Sequence, residues 1–473
     1  MCAAVLASGC GSLGQAPATN DALPTRGLTD AASFSAATGT TASPQVTPAD
    51  LRWWRRFDDP ALADWVERAL AGNLDIAIAA ERVQQARALL DGARAQRGFT
   101  LGAQVGADVR LRRDSGERRV QPGAALTLDF DTDLWGGLRQ AERSAAAGVL
   151  GSQDLAQAAR LSAAGLAARA YLEWREALLD HRLLGEALDL QREALRVVAI
   201  RVEAGISPVL DRDRAQAELA ATEAEQAEAA VRMGQAQAAL EVLAGERPAP
   251  GPLRVSAAMA PADAQRKLPV LRGEQPVVRP LDLLRLRPDL RAAEQALIAA
   301  AADIGVAEAA LRPRLSLPGS VVFGAAMGSG AVFELVSATL SAVLDVTLLD
   351  NGARAANVAG AQSVAREASL VYRRTLLQAL QQVESALVAQ QGAQVRIAAR
   401  ERASAAALAA EAQSQILYRA GLAGFLDVVD AQRTARTNQR ALLESQGDAA
   451  AAAVLVFETM GLIDPASPLK TDD

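Results

Sequence analysis

Leu-Gly-Ala-Gln-Val-Gly-Ala-Asp-Val-Arg-Leu-Arg, residues 101–112, alternates between two kinds of side chain. Successive strand side chains point to opposite faces, so Leu101, Ala103, Val105, Ala107, Val109 and Leu111 share an apolar face. Gln104, Asp108, Arg110 and Arg112 fall on the other. A polar turn at Asp114-Ser115-Gly116-Glu117 leads to Leu126, Leu128 and Phe130, alternating with Thr127, Asp129 and Asp131. The pattern is a β-hairpin. Further along, Val336, Ala338, Leu340, Ala342, Leu344, Val346 and Leu348 repeat the alternation, opposite a segment Leu315–Met327 interrupted by Pro318 and Gly319. Four strands per chain are expected, in hairpins 100–132 and 315–348. A soluble half-buried sheet would alternate in the same way. Two observations favour a membrane barrel: runs of about ten residues suit a tilted membrane strand, and the charges Asp108, Arg110, Arg112 and Asp345 suit a watery lumen. The 3% aromatic content counts the other way, because membrane barrels usually carry aromatic girdles.

Outward from each hairpin the period changes. Neither Gly136–Gly205 nor Gly352–Gly421 contains a proline, and both are rich in Ala, Leu, Gln, Glu and Arg, all good helix formers. A helix of about 65 residues would be roughly 100 Å long. Leu184, Leu188, Leu195, Val198 and Val202 follow coiled-coil steps, with Gln191 in the missing place. Shorter helices are expected over 61–97, 208–247, 281–312 and 424–464. Arg201-Val-Glu-Ala-Gly205-Ile-Ser207-Pro208 reads as a glycine C-cap, a serine N-cap and a proline at the first helical position. Tyr418-Arg-Ala-Gly421 is its counterpart.

Laying Gly205 on Gly421, an offset of 216, also lays Asp211 on Asp427 and Gly136 on Gly352; an offset of 214 lays Asp75 on Asp289. The chain is therefore an internal duplication, with a period too long for a short solenoid repeat. Residues 49–247 form the first copy, with helical hairpin 136–247. Residues 281–473 form the second, with helical hairpin 352–464. Between them, 248–280 is a proline-rich linker.

Composition narrows the function. A net charge of -6 in 473 residues presents no basic face for nucleic acid. One histidine, His181, and two cysteines, Cys2 and Cys10, leave little for metal or nucleophile chemistry. No run approaches 18 apolar residues, so a spanning helix is not expected. Residues 1–9 read as the remnant of a signal peptide, closing in a lipobox Ala7-Ser8-Gly9-Cys10. Leu6 stands one place early, and the absence of Lys and Arg suggests an internal start. Cys10 would carry a covalent lipid at the head of the polar tether 10–48; an ordinary flexible terminus is the alternative. His181 reads as a packing or surface residue, Trp53 and Trp54 as packing for the N-terminal arm, and Asp289 as a helix N-terminal acid.

Several strings resemble one family. Trp53-Trp54-Arg-Arg-Phe57-Asp58-Asp59-Pro60, Asp133-Leu134-Trp135-Gly136, Arg287-Pro288-Asp289-Leu290, Tyr418-Arg-Ala-Gly421 and Leu426-Asp-Val-Val-Asp430-Ala431-Gln432 stand in order along the chain. Together they resemble the outer-membrane factors, TolC-like efflux ducts, and more closely the NodT/OprM lipoprotein branch. Leu349 replaces the usual Phe before Asp350. The resemblance implies an α+β membrane protein: a homotrimer sharing a 12-stranded β-barrel, continued by a coiled-coil periplasmic tunnel. It implies a lipid-anchored exit duct in the outer membrane, passive and non-enzymatic, needing no cofactor beyond the lipid on Cys10. A periplasmic membrane-fusion adaptor and an inner-membrane pump of the RND type would be its partners. The competing reading is a lipid-anchored helical tether without a conduit. By motif match, Leu426 and Asp430 would form the gate, with Asp427 beside them and Arg214 available as a partner for Asp430. Arg201, Gly205, Ser207, Tyr418 and Gly421 would mark the tips that meet the adaptor.

Overall fold

The computed structural model describes residues 34, 46–111, 118–249, 267–273, 275–328 and 331–464. Cys10, almost all of the 10–48 tether, Arg112, the 114–117 turn and residues 250–266 lie outside the described residues, as do the side chains of Asp108 and Arg110.

After a 3-10 segment at Asp50–Arg56 come α1 (Pro60–Gly72), α2 (Leu74–Ala95), β1 (Thr100–Leu111), β2 (Arg118–Asp129), α3 (Gly137–Glu203) and α4 (Val209–Leu243). The second copy runs through α5 (Leu283–Leu286), α6 (Pro288–Ala309), β3 (Arg314–Ser316), β4 (Gly319–Gly328), β5 (Ala331–Leu340), β6 (Val343–Asp345), α7 (Ala353–Arg419) and α8 (Phe425–Thr459). The long helices α3 and α7 have 67 residues each, as the proline-free stretches require.

The main sheet has four antiparallel strands in the order β1-β2-β4-β5. Its register pairs Leu101 with Leu128, Leu126 with Val321, Ala124 with Phe323, and Phe323 with Val336. Paired residues share a face, so the apolar sets of both hairpins merge into one continuous surface. Val105, Val336 and Leu340 on it are exposed. The outer edges of β1 and β5 have no partner strand among the described residues.

The second hairpin differs from the expectation of two uninterrupted strands. Its ends form a separate two-stranded sheet, β3 with β6, in which Arg314 faces Asp345. Asp345 therefore does not belong to the main sheet's polar face. Pro318 has no N–H to give to a ladder; its carbonyl instead accepts from Ser341 N at 3.0 Å, where the opposite strand also breaks. The expected helix 61–97 is likewise two helices. Asn73 takes an extended conformation and its Oδ1 accepts from Asp75 N at 2.9 Å and Ile76 N at 3.2 Å. That cap starts α2 afresh.

Contacts divide the chain into two compact units. One holds Glu81–Asp154 and Leu290–Thr375, with both sheets; the other holds Leu155–Asp289 and Leu376–Asp473 together with the segment ending at Ala80. Each copy of the duplication thus contributes to both units. Within the second unit the duplication is visible as chemistry. Asn73 Nδ2 donates to Leu243 O at 3.1 Å, and Arg287 Nη1 donates to Thr459 O at 3.0 Å. The donors are 214 residues apart and the acceptors 216, the two offsets read from the sequence. In both copies a side chain at the helix break satisfies an orphan carbonyl at the end of the copy's last helix, α4 or α8.

The N-terminal arm is packed as expected. Trp53 is fully buried and stacked on Phe457 with 5.5 Å between ring centroids. Asp59 Oδ1 caps α1 through Ala61 N at 2.9 Å, and its Oδ2 accepts from Tyr171 OH at 2.8 Å. His181 sits half-buried on α3.

Candidate functional site

The ends of α3 and α7 turn through the same local chemistry. Gly205 and Gly421 have φ of +72° and +74°, the left-handed conformation that glycine adopts without a Cβ penalty. Ile206 N donates to Arg201 O at 2.8 Å and Leu422 N to Leu417 O at 2.9 Å, which closes both as Schellman turns. The two tips are packed together. Val198, Ala215, Phe425 and Val429 form a buried cluster, flanked by Leu195, Val202 and Tyr418. Arg201 lies over the Tyr418 ring at 5.0 Å, and Tyr418 contacts Phe425 at 5.8 Å. Arg201 and Tyr418, tip residues from different copies, therefore touch.

Ser207 is not the N-cap that the sequence suggested. Pro208 takes that position, α4 begins at Val209, and no side chain caps it. The equivalent work in the second copy falls to Asp427. Its Oδ2 accepts from Gly424 N at 2.8 Å, the reaching-back half of a capping box. Asp427 is therefore a capping residue before it is a gate charge. Ser207→Ala should change stability by less than about 0.5 kcal/mol, whereas Asp427→Ala should cost about 1 kcal/mol. Thermal melts of the two variants check the order.

Leu426, Asp427 and Asp430 all lie on the exposed side of α8, while Phe425, Val428 and Val429 are buried. One helical turn separates Leu426 from Asp430, so they face the same way. Leu210, the counterpart of Leu426, is also exposed, and Arg214 is half-buried. Within one chain, among the described residues, no ion pair joins Arg214 to Asp430.

Beyond the tips runs an ion ladder that reading the sequence did not find. Glu218 of α4 is buried and accepts from Arg433 and, at 2.9 Å, from Arg436 of α8. Arg440 donates to Asp180 of α3 at 2.8 Å and to Glu225 at 2.9 Å, and Arg232 of α4 also reaches Asp180. Burial by itself would raise the Glu218 carboxyl. The hydrogen bonds and charges of Arg433 and Arg436 overcome it and hold Glu218 below the ordinary carboxylate range. The only sequence signal was spacing. Glu218 and Glu225 are seven residues apart, and Arg433, Arg436 and Arg440 follow steps of three and four, so each set lies along one helical stripe.

The model of the outer membrane efflux protein family matches residues 65–246 and 280–462, one match in each copy of the duplication. The chain belongs to the outer membrane efflux protein family. It is similar to the solvent efflux pump outer membrane protein SrpC of Pseudomonas putida, 30% identical over 420 residues and 86% of each chain. Nodulation protein T of Rhizobium leguminosarum bv. trifolii is 29% identical over 413 residues and 85% of each chain. Among solved structures, the outer-membrane channel OprN superposes with a TM-score of 0.81 at 29% identity, covering 91% of this chain and 97% of that one. This efflux protein is accordingly an outer-membrane channel component and not an enzyme. Its long helices, small sheets and two-copy plan are those of the family.

Proposed function

We propose that this outer-membrane efflux protein works as a homotrimer, the exit duct of a tripartite pump that passes small toxic molecules outward. The observation that carries this reading is the continuous apolar face of the four-stranded sheet, with neither outer edge paired among the described residues. A four-stranded sheet is too small to close on itself, since the smallest membrane barrels have about eight strands. Backbone groups left open in lipid are not viable. Three copies meeting edge to edge, β1 of one chain beside β5 of the next, close a 12-stranded barrel by cyclic symmetry.

The functional repeats are then 49–247 and 281–473, joined by the linker 248–280. Cys10 carries the lipid that ties the tether to the outer membrane, since stable anchoring takes two acyl chains. The tips around Arg201, Gly205, Ser207, Tyr418 and Gly421 receive the hairpins of a periplasmic adaptor. The adaptor links them to an inner-membrane pump of the RND type. What supports the docking role is the pair of equivalent exposed apolar sets, Ile200, Ile206 and Leu210 beside Ile416, Leu422 and Leu426.

At the tip, three copies of Leu426 form a dry constriction and three of Asp430 a cation-favouring ring. Arg214 pairs with Asp430 of a neighbouring copy, each partly exposed pair contributing about 1 kcal/mol or less. Purified protein in a planar bilayer tests the reading. Leu426→Ala with Asp430→Ala should raise single-channel conductance and sensitise cells to large antibiotics such as vancomycin. A protein that inserts but conducts nothing, in wild-type or variant form, would favour the helical tether instead.

A further inference from the structure

The turns that lead from the sheets into the long helices carry exposed apolar pairs, Leu134-Trp135 in the first copy and Leu348-Leu349 in the second. The offset of 214 lays one pair on the other. Leu348 and Leu349 are 92% and 82% exposed, and Trp135 is 41% exposed. Both pairs hang on one turn, residues 310–313, just beyond α6. Trp135 Nε1 donates to Pro313 O at 2.7 Å. Arg354 joins the same turn to the second pair, donating to Ala310 O at 3.1 Å and Thr347 O at 3.0 Å. Leu340, Leu344 and Val346 are exposed as well, so the apolar surface runs on from the main sheet to these turns. Apolar side chains gathered in this way mark a surface that something else covers.

Arg312 supplies a charge beside them. Its guanidinium lies over the Trp135 ring at 4.9 Å, and among the described residues no carboxylate pairs with it. The neighbouring arginines are taken: Arg139 by Asp133 at 3.6 Å, Arg314 by Asp131 at 2.7 Å and Arg354 by Asp350 at 2.8 Å. A guanidinium held over an indole, next to exposed leucines, suits a bilayer interface, where the ring lies among the upper acyl chains and the cation meets phosphate. We propose that this collar binds an anionic glycerophospholipid of the periplasmic leaflet, its phosphodiester accepting from Arg312 and its acyl chains lying on Trp135 and the leucines. The inference rests on the reading of the sheet as part of a membrane barrel.

Trp135 is also the probe, because Trp53, Trp54, Trp65 and Trp174 are buried. The full chain is held in phosphatidylcholine nanodiscs doped, at equal fraction, with phosphatidylglycerol or phosphatidylcholine brominated on the acyl chains. The brominated anionic lipid should quench the fluorescence as strongly as about fivefold more of the brominated zwitterionic lipid, the enrichment expected from one arginine at a membrane surface. Trp135→Phe should abolish the quenching, which assigns the signal. Arg312→Gln should make the two lipids equal while quenching by the zwitterionic one persists. Equal quenching by both lipids in the wild type, or an undiminished preference in Arg312→Gln, overturns the proposal. Conductance of the same preparation in a planar bilayer tests the channel reading separately. If Trp135 stays unquenched in protein that conducts, a neighbouring copy covers the collar, and the lipid site falls while the channel stands.

Discussion

Glu218→Ala should lower the stability of each chain by about 3–5 kcal/mol, because it strips a buried guanidinium of its nearest carboxylate. Arg436 is only 8% exposed at its side chain and would keep just the longer contact to Glu225 at 3.5 Å. Arg433 is 60% exposed, so Arg433→Ala should cost no more than about 1 kcal/mol. The contrast makes the test specific: both changes break an ion pair with the same carboxylate, but only one leaves a charge buried. Urea unfolding measures the stability term, and the frequency of spontaneous openings in bilayers reads the tethering of α4 to α8. Equal stability of the two variants would remove the ladder from this role. The pH dependence has a definite sign. Glu218 titrates lower in the folded chain than in the unfolded one, so its contribution is complete above the ordinary carboxylate range. It is lost as the pH falls through the depressed folded value.

Gly245→Val should be the most damaging single glycine substitution, with a cost of about 3 kcal/mol or more. Gly245 has φ of +73°, and a Cβ there would stand 2.2 Å from Gly72 O. The left-handed conformation alone penalises a side chain by about 1–2 kcal/mol, and moving packed backbone adds about 1–3 kcal/mol. Gly461, the counterpart in the second copy, has φ of +75° and would place a Cβ 2.8 Å from Leu286 O. Valine there should behave alike. Gly234 is the internal control. It lies within α4 and a Cβ there meets nothing within 4 Å, so Gly234→Ala should stabilise by up to about 1 kcal/mol. Yield and melting temperature of the three variants decide the matter. A Gly245→Val protein as stable as wild type would mean that the two backbones do not approach so closely.

Much of this molecule is written locally. Alternation over 101–111 and 336–340, proline-free stretches that become α3 and α7, and glycines that become left-handed turns each depend on a residue and its near neighbours. The same holds for the duplication, whose offsets of 214 and 216 reappear as two equivalent hydrogen bonds to helix-end carbonyls. The buried aromatic arm around Trp53 and the exposed positions of Leu426 and Asp430 were also legible, since a helix turn fixes which residues share a side.

Other features needed the packed chain. A proline and glycine at 318–319 signalled an interruption, but only pairing showed that the hairpin there divides between two sheets. Ser207 had the right residue type for a cap and Asp427 the look of a free charge; the backbone reversed those roles. The ladder is the clearest case. Glu218 and Arg433 are 215 residues apart, and no local period says which carboxylate an arginine will meet. Periodicity and turn chemistry act through the chain within one or two helical turns, so sequence determines them directly. Partners across helices depend on how two side-chain surfaces interlock, and only the tertiary structure decides that.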